Sequence, residues 1–352
     1  MYNYLIIKLL SYLGNNSGMA GLRGEQVDAY RKDMYKFERE GVQEEETMYQ
    51  KVYKVVSGEK VKGAGTKDTQ QLSAGPLTRH TVENQNIIFK SPVQGWTTYV
   101  KYHTYSDGLT FSPEAIEDTI KLGDMLKDLA KTWGVENRVA KETLAARVFN
   151  EGGNLTGDFV FNGSYTGEAD PSGDMMYDSA PLFNLSGNTR STKGGSTYYN
   201  SVSSAYPSSG SVLPSHIKTL YNLMTSINNR DEQDRVIRNK PDTVLSKPGD
   251  DEIEVWEILN SDLKAMGELN NKNVWRGKFK NAYAWDYLTE SAIFMGKAQA
   301  DNFQFHERMA PQIRFFRHED TAGYKASIRL RFGPYMKFGS WRSWVRGGGT
   351  SA

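Results

Sequence analysis

The chain has 352 residues, 38% of them hydrophobic and 12% aromatic, so it can bury one large core or two ordinary ones. Its 43 Lys and Arg balance 42 Asp and Glu to a formal net charge of +1, whereas a dedicated nucleic-acid-binding domain carries a clear basic excess. Without cysteine, the chain forms no disulfide, thiol nucleophile or Cys-based zinc site, which fits a reducing compartment inside a cell.

The first 18 residues contain one apolar run, from Tyr4 to Leu13, which Lys8 interrupts. This run is shorter than the ~20 residues that a membrane-spanning helix needs. It lacks both the basic start and the small-residue cleavage site of a good signal peptide. Because Met19 opens a second, ordinary start, we expect residues 1–18 to be a flexible or misassigned N-terminus.

The next two segments predict an exposed helical arm and a long extended loop. Apolar residues recur at helical spacing before an acidic run at Glu44–Glu46, namely Val27, Tyr30, Met34 and Phe37. Residues 58–95 are rich in Gly, Lys, Thr and Gln, with β-type runs before them at 52–56 and near their end at 87–89, so they predict a hairpin-like extended loop. The alternating run Thr97–Tyr105 predicts a strand.

A long helix is predicted over residues 113–150. Ser112 is a good N-cap, Pro113 suits the first helical position, and Gly152 and Gly153 follow the end of the apolar stripe as helix breakers. At 1.5 Å per residue such a helix is ~55 Å long, with a kink expected at Gly134.

The remaining pattern predicts loops and then a compact α/β region. Gly, Ser, Asn, Thr and Tyr dominate residues 151–211. After Pro214 we expect a helix with Ile217, Leu220, Met224 and Ile227 on one side, a buried strand at 243–245, and a helix at 251–259. Residues 324–332 alternate between apolar and polar side chains, which predicts a strand with one apolar face.

The sequence shows no chemical signature, so we assign no catalytic, cofactor-binding or metal-ligating residue. The five histidines have no spacing that would place two ligands on one helical face. Gly63 and Gly65 lack the remaining glycine and lysine of a phosphate-binding loop, and the pair Asp250–Asp251 fits a helix start. No nucleophile, base and orienting group can be proposed together, which argues against an enzyme.

The segment from Arg308 to Arg346 holds nine Lys or Arg against two acids, interleaved with aromatic residues. Such a segment could form a stacking platform for nucleic acid. Alternatively, its apolar face packs a core while Arg329 and Arg331 pair with acidic segments of neighbouring subunits, such as Glu44–Glu46. We favour the second interpretation, and both can hold in part, since weak contacts to phosphate that are independent of sequence need only local positive charge.

The order of these elements resembles a known family, the major capsid proteins of tailed bacteriophages, and in particular the Mu-like and related head subunits with the Hong Kong 97-type fold. The resemblance covers nearly the whole chain from Met19, and its order and spacing carry more weight than any fragment. The matching runs are Asp107-Gly-Leu-Thr-Phe-Ser-Pro-Glu114, Ala145-Ala-Arg-Val-Phe-Asn150, Ala180-Pro-Leu-Phe-Asn184, Pro241-Asp-Thr-Val-Leu-Ser-Lys-Pro248, Glu257-Ile-Leu-Asn-Ser261 and His306-Glu-Arg-Met-Ala-Pro311.

This resemblance implies an α+β fold with an N-terminal arm, an extended loop, a peripheral domain containing a spine helix, and an axial domain. The implied boundaries are 19–57 for the arm, 58–95 for the extended loop, 96–180 with 306–352 for the peripheral domain, 113–150 for the spine helix, and 181–305 for the axial domain.

The same resemblance implies a subunit that forms pentamers and hexamers of an icosahedral shell around double-stranded DNA. We expect its location to be the virion, after assembly in the host cytoplasm without a membrane. Expected partners are further copies of the chain, a separate scaffolding protein, a portal, packaged DNA through weak contacts, and in some shells a decoration protein. No cofactor and no covalent cross-link between subunits is implied.

Two other interpretations stay open. An encapsulin-type nanocompartment would use the same fold to enclose enzymes, and a cargo enzyme in a neighbouring gene would favour it. A glycan- or peptide-binding module could use the Tyr- and Gly-rich tract from Tyr165 to Tyr206.

Overall fold

The computed structural model describes residues 24–57, 65–72, 93–112, 122–153, 157–160, 168–174, 180–185, 190–191, 197–207, 211–231, 235–263, 272–317, 323–337 and 339–348. These residues form helices and mixed sheets, so the predicted α+β class is confirmed. The α-helices are α1 (Gly24–Val42), α2 (Tyr49–Val52), α3 (Leu122–Asn150), α4 (Pro214–Asn222) and α5 (Asp250–Asn260). The strands are β1 (Lys54–Ser57), β2 (Gly65–Leu72), β3 (Val93–Lys101), β4 (His103–Phe111), β5 (Gly157–Val160), β6 (Glu168–Asp174), β7 (Arg190–Ser191), β8 (Thr197–Tyr198), β9 (Ser201–Val202), β10 (Thr243–Ser246), β11 (Asn281–Ala284), β12 (Ala292–Gly296), β13 (Phe303–Arg317), β14 (Tyr324–Met336) and β15 (Trp344–Gly348).

The long helix is confirmed where the structure describes it, because α3 runs for 29 residues and ends at Asn150. Its predicted start, residues 113–121, lies outside the described residues. Gly134, where a kink is predicted, lies within this continuous helix. A Cβ atom there would collide with the carbonyl oxygen of Glu38, and one at Gly41 would collide with that of Lys131. Both glycines therefore allow α1 and α3 to approach backbone to backbone.

The chain divides into two compact units, of which the first contains residues 1–45, 105–137 and 311–330. Within it, the backbone N–H of Ile313 donates to the hydroxyl of Tyr35 at 2.9 Å. The indole N–H of Trp133 donates to Asp107 at 2.7 Å. Because Met34 is also buried, α1 is a packed helix on one side rather than an arm exposed all round.

The second unit contains residues 46–104, 138–310 and 331–352 and holds a five-stranded mixed sheet in the order β11-β10-β12-β15-β9. Strand β10 pairs parallel with β11 and antiparallel with β12. Helices α4 and α5 cover this sheet through a core that includes Ile217, Leu220, Val244, Val255, Ile258, Ile293, Met295 and Val345. The predicted buried strand and both predicted helices of this region are confirmed.

A four-stranded sheet has the order β1-β13-β14-β4, with β1 parallel to β13. From Tyr324 to Phe332, strand β14 alternates between buried and less buried side chains. This confirms the predicted strand with one apolar face.

The ring of Phe149, in the last turn of α3, is fully buried in the second unit. Six aromatic rings surround it with centroid distances of 5.1 to 6.1 Å, those of Tyr53, Phe183, Trp285, Phe294, Phe303 and Trp344. Most of these contacts are tilted or edge-to-face, which is the favoured geometry for aromatic pairs. The cluster therefore joins α3 to segments from across the sequence.

Several local predictions differ from the structure. Tyr49–Val52 is a helical turn, so the β-type run that begins at Val52 becomes a strand only from Lys54. Ile227, predicted on the buried side of its helix, is partly exposed because the helix continues as a π-turn from Leu223. The last strand, Trp344–Gly348, pairs with β12 and β9 in the five-stranded sheet. The domain boundaries stay a prediction.

Replacing Phe149 with Ala is expected to lower the free energy of unfolding by about 3–5 kcal/mol, because it leaves a cavity among six rings. The Phe149→Leu substitution should cost less and keep the chain folded. Urea denaturation followed by tryptophan fluorescence measures both changes.

Phe316→Ala is the matched control, since this phenylalanine is 43% exposed, and it should alter the unfolding free energy by less than about 0.5 kcal/mol. Equal effects at positions 149 and 316 would contradict the central role of the cluster.

Candidate subunit-interaction surfaces

Four aromatic residues of the basic C-terminal segment lie inside the protein, whereas Phe316 is exposed. Phe315, Phe332, Trp341 and Trp344 are all buried. Bases cannot stack on side chains that solvent does not reach, so the hypothesis of an aromatic nucleic-acid platform is wrong for these four residues. The alternative, that this segment packs a core, is confirmed for them.

The two arginines singled out from this segment differ in their surroundings. Arg329 is exposed on β14, whereas the half-buried Arg331 donates from Nη2 to the backbone carbonyl oxygen of Tyr102 at 2.8 Å. The predicted acidic counterparts also have partners within the chain, since Glu44 pairs with Lys131 at 3.1 Å and Glu46 with Lys51 at 2.7 Å. Of the two arginines, only Arg329 therefore remains a candidate for contact with another molecule.

The predicted extended loop is described in part. Strands β2 and β3 form an antiparallel pair in which Gly65 lies opposite Lys101 and Leu72 lies opposite Val93. The register shifts between Thr69 and Gln71. Residues 58–64 and 73–92, including the first glycine of the Gly63–Gly65 turn, lie outside the described residues.

Three of the five histidines are described, His103, His216 and His306, while His80 and His318 lie outside the described ranges. Within those ranges, no three His, Asp or Glu side chains come together in a way that could hold a metal ion. A search of the same residues finds no helix with both the length and the apolar character for crossing a membrane.

His306 is the buried histidine of this group and belongs to a polar network. Its Nε2 lies 2.8 Å from the Oε1 of Gln304, and its Nδ1 lies 2.7 Å from the hydroxyl of Tyr102. The ring of Tyr335 packs at 4.6 Å. Burial, with a smaller contribution from Lys337, lowers the pKa of His306 to about 4. The ring is therefore neutral at pH 7, with Nε2–H donating to Gln304 and Nδ1 accepting from Tyr102.

Near α2, a buried carboxylate binds the start of that helix. Glu142 accepts hydrogen bonds from the backbone N–H groups of Met48 and Tyr49, at 2.6 and 3.2 Å, and from the indole N–H of Trp285 at 2.7 Å. Burial raises the pKa of Glu142, and these three donors act in the opposite direction. Since the donors satisfy a helix start, the group has a structural role.

An exposed apolar surface on α5 was not predicted from the sequence. Ile253 and Trp256 on α5 lie off the stripe formed by Val255, Ile258 and Leu259, and both are more than half exposed. Both residues fall outside the helical stripe that forms the core, and this offset is the feature of the sequence that could have identified them as exposed. Hydrophobicity alone assigns both residues to the interior.

Comparison with known proteins gives structural similarity without sequence similarity. No protein-family model matches the chain, and no curated protein matches it. A virus-like particle from Pyrococcus furiosus has a TM-score of 0.47 and 10% identity, over 90% of this chain and 98% of that one. The mature capsid of bacteriophage PhiM1 has a TM-score of 0.49 and 7% identity, over 88% of each chain. The capsid of a native GTA particle has a TM-score of 0.48 and 10% identity, over 96% and 95%.

The Arg331→Ala substitution is expected to lower the free energy of unfolding by about 1–3 kcal/mol, because it removes a charge-assisted hydrogen bond to Tyr102. Arg329→Ala on the same strand should change it by less than about 0.5 kcal/mol, since that side chain is exposed. Chemical denaturation of both variants checks this contrast, and equal losses would contradict it.

The folded state should lose stability as the pH falls from about 6.5 towards 4, because the unfolded chain then binds a proton that buried His306 does not. His306→Gln is expected to remove about 1–2 kcal/mol of the difference between pH 7 and pH 5. Urea titrations at the two pH values measure this difference. His103→Gln serves as the control, and an unchanged pH dependence in His306→Gln would show that another group is responsible.

Proposed function

We propose that this chain is the major capsid protein of a tailed bacteriophage, which assembles as pentamers and hexamers into an icosahedral shell around double-stranded DNA. The observation that carries this proposal is the order of the elements along the chain. Helix α1 comes first, β2 lies in the predicted extended loop and pairs with β3, which begins at the end of that loop, and the 29-residue helix α3 follows. The five-stranded sheet with α4 and α5 comes next, and the chain returns to it at β15. This is the order that the sequence resemblance implies.

The surface chemistry agrees with a structural role. Trp256 and Ile253 form an exposed apolar face that an ordinary monomer would bury, and such faces mark sites of protein association. Arg329 supplies an exposed positive charge on β14, which suits weak contact with phosphate or with an acidic neighbour.

Electron microscopy tests the proposal directly. Expression with the neighbouring genes should give closed particles of uniform size, and particles from infected cells should contain DNA. An enzyme inside the particles in place of DNA would instead indicate an encapsulin-type compartment. A small monodisperse species under every condition would contradict a shell protein of either kind.

Shortening the extended loop is expected to abolish assembly while the fold survives. Because Leu72 and Val93 lie opposite each other, a short Asn-Gly turn in place of residues 73–92 keeps the β2–β3 pair. We expect this variant to be soluble and folded by circular dichroism but to give no closed shells in negative stain.

The matched control places the same turn between β5 and β6, where Val160 lies opposite Glu168, in place of residues 161–167. This control should still form shells. Normal shells from the variant lacking residues 73–92 would show that the proposed loop does not link subunits.

A further inference from the structure

Helix α5 has one face in the core and one face in solvent. Val255, Ile258 and Leu259 are buried against the five-stranded sheet, whereas Ile253 is 57% exposed and Trp256 is 62% exposed. Residues three apart on a helix lie side by side on its surface, so these two side chains form one apolar patch. Exposed tryptophan is characteristic of the centre of a protein–protein interface.

Acidic side chains flank this patch, and the helix contains no Lys or Arg. Two of its five acids bind within the chain: Asp251 accepts from the hydroxyl of Tyr206 at 2.9 Å, and Glu254 from the N–H of Val212 at 2.5 Å. The other three, Asp250, Glu252 and Glu257, are exposed and form no ion pair with any residue that the structure describes. We call Ile253, Trp256 and these three acids the acidic face.

A second exposed apolar patch lies in residues 235–240, whose backbone bonds back to residues 229–231. The N–H of Ile237 donates to the carbonyl of Asn229 at 2.6 Å, and that of Asp231 donates to the carbonyl of Arg235 at 2.9 Å. Val236, between these bonds, is 69% exposed, and Ile237 is partly exposed.

Three exposed cations, Arg235, Arg238 and Lys240, lie next to these apolar residues in the sequence, and residues 235–240 contain no acid. Arg235 pairs with Asp231 at 2.7 Å. Arg238 and Lys240 have no ionic partner among the described parts of the chain. We call Val236, Ile237, Arg238 and Lys240 the basic face.

The two faces belong to different elements that contact the same sheet. Helix α5 packs on β10 and β11, which come first in the strand order. The segment of the basic face precedes β10 in the chain and binds residues before β9 and β15, since Asn228 donates to the carbonyl of Tyr199 at 2.8 Å and Asn239 donates to that of Arg342 at 2.9 Å. Two different, complementary faces of one subunit can meet between copies, head to tail.

We propose that the acidic face of one copy binds the basic face of a second copy, with the Trp256 and Val236 patches in contact, Glu257 opposite Arg238, and Glu252 opposite Lys240. A head-to-tail contact of this kind closes into a ring when the rotation between copies permits it. The inference rests on the proposed function, because it names the contact through which the sheet-bearing units of a pentamer or hexamer meet.

Charge reversal with rescue tests this contact. Glu257→Arg and Arg238→Glu, each alone, are expected to raise the protein concentration needed for assembly at least about tenfold, because each places like charges together in the interface. The double variant should assemble within about threefold of the unaltered chain. Asp286→Arg, another exposed acid in the same unit, is the control and should assemble normally. Circular dichroism confirms that every variant is folded.

Light scattering and electron microscopy of the unaltered chain distinguish a failure of this contact from a failure of the proposed function. If it assembles but the single variants also assemble normally, or the double variant is not rescued, this contact is wrong and the proposed function stands. Loss without rescue would mean that one face binds something other than the opposite face. If the unaltered chain forms no shells under any condition, the proposed function and this contact fail together.

Cross-linking provides a second measurement, since the chain contains no cysteine. A mixture of Ile253→Cys and Val236→Cys chains, treated with a short bis-maleimide, should give a linked dimer that neither chain gives alone. Ile253→Cys mixed with Leu109→Cys, an exposed position in the first unit, should give none. Dimers in the Leu109 mixture, or none with Val236, would overturn the contact.

Discussion

The aromatic cluster around Phe149 is the constraint on which the larger unit depends. Its rings come from segments that lie far apart in the sequence, including Tyr53 near the N-terminus and Trp344 near the C-terminus. Burying one large aromatic side chain contributes on the order of 2–3 kcal/mol, and edge-to-face pairs add to that value. No segment in the cluster can leave without exposing the others, so the last turn of α3 fixes the sheet, the C-terminal strand and the chain after α2 together.

Polar contacts surround this apolar centre and set its orientation. Glu142, two turns before Phe149, holds the backbone of Met48 and Tyr49 and the indole of Trp285. Next to it, Lys141 pairs with Glu307 at 2.7 Å, and Tyr49 donates to the same carboxylate at 2.9 Å. A buried charge is tolerated only when its hydrogen bonds are satisfied, so these contacts specify one arrangement of the segments that the aromatic cluster gathers.

The sequence predicts elements well where one physical signal dominates. The alternation in β14 follows from a single buried face, and the end of α3 follows from Gly152 and Gly153 after the apolar stripe. Predictions fail where the partner is distant: Arg331 lies on the polar side of its strand, yet it binds Tyr102, 229 residues away. The composition of the Phe149 cluster is hidden for the same reason. The apolar residues at the end of α3 indicate that this turn is buried, but nothing local indicates that Phe149 is the centre of a cluster or which rings surround it.

The exposed face of α5 illustrates a different limit, because hydrophobicity does not distinguish a residue buried by folding from one buried by association. Helical periodicity separates the two only when the core stripe is already occupied, as it is here by Val255, Ile258 and Leu259. The hydrogen bonds of the α5 carboxylates also distinguish the side that faces its own unit from the side that faces solvent. The carboxylates of Asp251 and Glu254 bind groups of their own unit, whereas those of Asp250, Glu252 and Glu257 bind no group among the residues that the structure describes. A cationic surface laid over the helix would neutralise these three carboxylates and cover Trp256, so the charge and the hydrophobicity of this face favour the same binding partner.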